Sequence, residues 1–138
     1  MSVWQFFNSF MEAESEKVHN LGSDTLRIAL TNTAPNVATN TQLSHITQIT
    51  AAGGYAVAAL TISSSAQSGG TYTLSHSALT FTAAGAAFDT ARYWVLYNDT
   101  ATNDELIAYV DYGAGYALPD TQSWTLNAGN IHTKAQSA

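Results

Sequence analysis

The clearest pattern in the chain is an alternation of apolar and polar residues. In "TLRIALTN", Leu26, Ile28 and Leu30 point one way and Arg27, Ala29 and Thr31 the other, which is the two-residue period of a half-buried strand. Two later stretches alternate and then change phase. "GGYAVAALTISSS" opens on flexible glycines, carries Tyr55 and Val57 on one face, then continues as Leu60 and Ile62. "GGTYTLSHSALTFT" does the same with Tyr72 and Leu74, then Leu79 and Phe81. Such a switch predicts a bulge, or a strand that leaves one packing surface for another. "SAQSGG" between them reads as a hairpin loop.

The segment "ARYWVLYNDTATNDELIAYVDYG" predicts a hairpin around "NDTATND". Tyr93, Val95 and Tyr97 share one face of its first strand, with Trp94 and Leu96 on the other. In the second, Leu106, Ala108, Val110 and Tyr112 oppose Ile107 and Tyr109. A half-exposed antiparallel strand keeps one polar side. Here both sides are apolar, so one domain core can bury only one of them, and the N-terminal helix or a second subunit is expected over the other.

That helix is predicted from Val3, Phe6, Phe7 and Phe10, spaced i, i+3, i+4, i+7, with Ala13 near the same stripe. Ser2 is its expected N-cap and Gly22 its stop, giving a helix over about residues 2–20. "TAPNVATNTQ" is a polar loop punctuated by Pro35, "LSHITQI" a turn, and "QSWTLN" and "NIHTK" closing strands or a hairpin. The fold expected is mainly β, a single antiparallel β-sandwich or partly closed barrel of about seven strands (residues 24–134) behind one amphipathic helix, all in one domain, 1–138.

Composition changes this picture in one respect. Only 10% of the 138 residues are charged, against about 25% in an ordinary soluble domain. Thr, Ser, Asn, Gln and Ala take the place of charge, so the surface is expected either to be hidden in an assembly or to face the outside of a cell or particle. The net charge is −6, and Lys17, Arg27, Arg92 and Lys134 are the fixed positive groups. Four scattered cations do not make a nucleic-acid footprint. No run is long enough for a membrane span, and no basic segment precedes an apolar one as in a secretory signal.

Chemical motifs are absent. There are no cysteines, and His19, His45, His76 and His132 lack the spacing of a helical zinc motif. Asp99, Asp104 and Glu105 crowd one loop without the glycine or the spacing of a calcium loop. Asp89 with Asp111, as a glycosidase pair, carries no signal, and there is no nucleophile elbow or phosphate loop. No cofactor, metal or catalytic residue is expected. The expected interface or lid residues are aromatic: Trp4, Phe6, Phe7, Phe10, Tyr93, Trp94, Tyr97, Tyr109 and Tyr112.

The order of parts, a helix, a strand ending in "LRIALTNTAPN", then "GGYAVAALT" and the pair "ARYWVLYNDT" and "ELIAYVDYG", resembles small structural proteins of tailed bacteriophages. The resemblance runs over nearly the whole chain and implies a virion protein, a capsid decoration or cement protein that binds the major capsid protein and stabilises the head shell. It implies no catalytic residue. It carries with it a homo-oligomer, most simply a trimer at capsid three-fold positions, made in the host cytoplasm and placed on the capsid surface. The competing readings are a tail or fibre module that recognises a host glycan through Tyr-rich loops, and a small hydrolase.

Overall fold

Alternation builds strands throughout, and it begins at the fourth residue. The computed structural model describes residues 3–135, so the expected cap at Ser2 lies outside the described residues. Among them the order is β1 (Trp4–Phe6), α1 (Asn8–Ser15), β2 (Leu26–Thr31), β3 (Ala58–Leu60), β4 (Ile62–Ser68), β5 (Thr71–His76), β6 (Leu79–Thr82), β7 (Ala91–Asn98), β8 (Leu106–Tyr116), β9 (Ser123–Leu126) and β10 (Gly129–Ala135). They form a five-stranded sheet, β1-β8-β7-β2-β3, a three-stranded sheet, β10-β5-β4, and a two-stranded sheet, β6-β9. All pairings are antiparallel, and the sheets stay open rather than closing into a barrel.

The chain is mainly β, as the alternation predicts, but with ten short strands in place of about seven. The phase switches account for part of the difference. Tyr55-to-Ile62 crosses from β3, at the edge of the large sheet, into β4 of the three-stranded sheet. Tyr72-to-Phe81 crosses from β5 into β6 of the two-stranded sheet. The first crossing also carries a register shift between Ile62 and Ser64. Each change of phase is a change of packing partner. "SAQS" is strand rather than loop, and the hairpin turns on Gly69 and Gly70, both with positive φ.

One face of the large sheet carries Leu26, Ile28 and Leu30 from β2, Trp94 and Leu96 from β7, and Ala108 and Val110 from β8. It packs on Leu74, Phe81, Trp124, Leu126 and Ile131 from the two smaller sheets, with Phe10 closing one end. Burial of each large side chain contributes about 1.5–3 kcal/mol, so this layer carries most of the apolar stabilisation.

The opposite face is covered too, by the chain's own segment between β2 and β3 rather than by the N-terminal helix. Ala29, Val95, Tyr97 and Leu106 are buried there beneath Ile46, Val37 and Leu43 of the segment between β2 and β3, with Phe7 beside them. Backbone bonds lash that segment down: Leu106 N–H to the Thr41 carbonyl at 3.1 Å, Leu43 N–H to the Asp104 carbonyl at 3.0 Å and Ile49 N–H to the Leu30 carbonyl at 3.1 Å. The segment contains "LSHITQI", which holds the expected turn, a 3-10 helix at Leu43–His45.

The N-terminus departs most from expectation. Trp4, Gln5 and Phe6 pair with Val110, Tyr109 and Ala108 of β8, completing an edge of the large sheet. Trp4 and Phe6 therefore share a face by strand alternation, and the helix keeps two turns in place of four. It stops well before Gly22: Ser15 is its last residue, and Lys17 is left-handed at φ 66°. A second departure lies in β8. Ile107 is an extra residue between the pairs Leu96–Ala108 and Tyr97–Leu106. The bulge puts Leu106 on the outer face with Tyr97, whereas strict alternation groups it with Ala108.

Candidate functional site

Three of the four fixed cations pair with carboxylates. Arg27 pairs with Asp99 at 3.0 Å, and Arg92 grips Asp111 through two bonds of 2.7 and 3.1 Å. The Arg92 hydrogen bond and the Gly113 N–H hold the Asp111 carboxyl below its ordinary range. Glu14 on α1 reaches Lys134 at 3.1 Å and His132 at 3.2 Å on β10, tying the helix to the three-stranded sheet. Asp89 is occupied with Thr50. Asp89 and Asp111 thus belong to separate surface pairs.

The histidines are engaged singly. Nδ1 of His45 accepts from Thr41 N–H at 3.1 Å, and Nδ1 of His76 bonds the Ser77 carbonyl at 2.9 Å. His132 packs against the rings of Phe6, Phe10 and Tyr72. Nδ1 of His19, which is buried, accepts from Nδ2 of Asn98 at 2.9 Å, and burial pulls its pKa down. Among the described residues no three His, Asp or Glu side chains gather to hold a metal ion. In the Asp99–Glu105 loop, burial, then Asp99 and Glu105, raise the Asp104 carboxyl above its ordinary value.

What the fold does gather is aromatic. Trp4 on β1, Trp94 on β7 and Trp124 on β9 are the chain's three tryptophans, and all three line one cleft of about 480 Å³. Trp124 is its hub: its ring meets Trp94 at 4.8 Å, Tyr112 at 4.9 Å and Tyr116 at 5.0 Å, each edge to face. Trp4 stands edge to face with His76 at 5.8 Å on the far wall. The floor is apolar, with Val110 and Leu126, and the chain from Thr125 to Asn130 makes a polar rim carrying the exposed amides Asn127 and Asn130. Among the described residues no Lys, Arg, Asp or Glu lines the cleft. The indole Nε1 of Trp124 is buried there without a hydrogen-bond partner.

A second, shallower groove of about 620 Å³ runs between the end of α1 and the β4–β5 hairpin, past Glu14, Lys17, His19, Tyr72 and Lys134. Its polar walls include the Glu14–Lys134 pair already described.

The nine aromatic residues expected from the sequence divide into three groups. Trp4, Trp94 and Tyr112 meet at the cleft. Phe6 and Phe10 stack at 5.1 Å beside His132. Phe7, Tyr93, Tyr97 and Tyr109 lie toward the outer face, where Tyr109 contacts Phe7 at 5.8 Å and Tyr93 at 5.9 Å. Phe7, Phe10, Trp94 and Tyr97 are buried inside the chain itself, whereas Tyr112 is 52% exposed. Trp124, His76 and the amide rim escape a sequence reading. Trp124 reaches the cleft through its pairing with Phe81, which brings β9 opposite β6; only the scarcity of tryptophan marks it in the sequence.

No family model, curated protein or solved structure matches the chain.

Proposed function

We propose that the chain is a structural protein of a bacteriophage virion, a decoration or cement protein that binds the major capsid protein of the head shell through protein–protein contacts, as a homo-oligomer and most simply a trimer. The reading makes it a binding protein of the capsid surface rather than an enzyme. The observation that carries it is the outer strand of the three-stranded sheet. β4 is an edge strand exposed from Ser63 to Ser68, and "SSSAQS" contains no charge and no proline. Proteins that live alone blunt such edges with lysine, proline or cover. An open, uncharged edge offers a row of backbone donors and acceptors to a neighbouring strand. A surface with few charges also loses little on being desolvated against a partner.

The test is localisation. Purified particles examined by electron microscopy and quantitative mass spectrometry should carry the protein in many copies over the shell. Ala66→Lys on β4 should lose particle binding while melting unchanged, because Ala66 is exposed. A few copies confined to the tail tip would favour the adsorption module instead, and absence from particles would end both readings.

A further inference from the structure

We propose that the tryptophan cleft is a binding site for a neutral saccharide. The inference is independent of the decoration reading, since shell binding would run through the β4 edge. It also differs from a site made of tyrosine loops: Tyr112 is the one tyrosine lining the cleft, and the rest of its aromatic wall is tryptophan and histidine.

Three features converge on that ligand. The first is flat aromatic surface beside polar groups. Sugar rings present apolar C–H faces and a hydroxyl rim, and an indole or phenol ring matches the face while side-chain amides match the rim. Half-buried Trp4 and exposed Tyr112 supply the rings, and Asn127 and Asn130 the amides. Asn130 is held in place by Ser75, whose Oγ lies 2.7 Å from its Oδ1.

The second is the orphan donor. Trp124 is 5% exposed, yet its Nε1 has no acceptor. Buried indole N–H groups ordinarily find a partner. The surrounding rings are edge to face, and an N–H over a ring is a weak substitute for an oxygen. The atom itself is closed off from solvent, so a ligand hydroxyl would supply that oxygen only once a neighbouring ring, such as that of exposed Tyr112, swings aside. His76, with Nδ1 engaged by the Ser77 carbonyl, is left with Nε2 to accept a hydroxyl proton when the ring is neutral.

The third is the absence of fixed charge. Among the described residues the lining holds no Lys, Arg, Asp or Glu, so His76 is the one group there able to carry a positive charge toward a phosphate, sulfate or carboxylate, and the carboxylate pair of glycoside hydrolysis is missing. The site is therefore one of binding, and for uncharged sugars. Its volume falls within the usual range for small-ligand pockets, about 300–1,000 Å³.

The indole N–H resonances provide a direct readout, since the chain has three tryptophans. The ¹⁵N-labelled full chain is titrated to about 10 mM, a range that captures weak binding, with tetrasaccharides of N-acetylglucosamine, β-linked glucose, α-linked glucose, mannose and galactose. A proline-rich decapeptide and a sialylated trisaccharide are run alongside. Trp124→Phe assigns the Trp124 peak. At least one neutral tetrasaccharide should move the Trp124 and Trp4 peaks saturably, and Tyr112→Ala, a change at an exposed position, should weaken that response about tenfold. A Trp124 peak that stays still across the neutral panel overturns the proposal. So does a response to the peptide or the sialylated sugar alone, or binding that Tyr112→Ala leaves intact.

Discussion

Trp94 of the five-stranded sheet and Trp124 of the two-stranded sheet meet edge to face, ring centres 4.8 Å apart at 71°. The contact joins the two layers where the core meets the cleft. Trp94→Ala should therefore cost about 3–5 kcal/mol of unfolding free energy, measured by urea titration followed by circular dichroism. A loss under about 1 kcal/mol, the scale of a surface change, would mean that the layers do not depend on this pair.

The N-terminal phenylalanines should separate by burial. Phe7 and Phe10 are fully enclosed, so replacing either with alanine is expected to remove about 3–5 kcal/mol. Phe6 is only half-buried, and Phe6→Ala should cost about 1–2 kcal/mol. Equal losses at all three positions would contradict the strand-then-helix arrangement of the segment.

Asn98 is a buried junction. Its Nδ2 donates to Asp24 at 2.6 Å and to His19, while its Oδ1 accepts from the N–H groups of Thr100 and Ala101. Asn98→Ala strands partners on both sides and should cost about 2–4 kcal/mol. Chemical denaturation of that variant should show it, and hydrogen exchange should show faster opening of the 99–105 loop. Wild-type exchange in the loop would refute the assignment.

His19 makes stability depend on pH. Burial holds its pKa below the ordinary 6.5, against smaller opposing pulls from Glu105, Asp24 and Glu14. The unfolded chain therefore takes up a proton at this site before the folded chain does. Stability should fall as pH drops below about 6.5 and level off once the folded value is passed. Melting curves from about pH 7.5 to about pH 5 should show that slope, and His19→Gln should flatten it. A slope identical in the variant would assign it to other groups.

The parts of this fold legible in sequence are those where neighbours along the chain decide the outcome. Leu26, Ile28 and Leu30 share a buried face because their own alternation puts them there. The hairpin of β7 and β8 is equally local. Trp4 and Phe6 are different: the run "WQFFNSF" satisfies a helical stripe and a strand alternation at once, and the choice is made by β8, a hundred residues away. Leu106 faces outward because of a bulge at Ile107, which no side-chain pattern announces. Gly53 reads as flexible but is locked, with φ 70° and a Cβ position only 2.7 Å from the Ala86 carbonyl oxygen. The cleft was the least legible feature, because its tryptophans come from three strands of two sheets.

The pairing of Trp4 with Val110 spans 106 residues of sequence (110 − 4), and Glu14 is tied to His132 and Lys134 near the other end of the described chain. On a ribosome, β1 would wait for about a hundred further residues before it found its place. Until then β1 would have no strand to pair with, and the helix would have nothing to lean on. Such distant closures make folding slow, so β1 and α1 would dock late, after Val110 and His132 have emerged, and their apolar faces would be most in need of a chaperone during that wait.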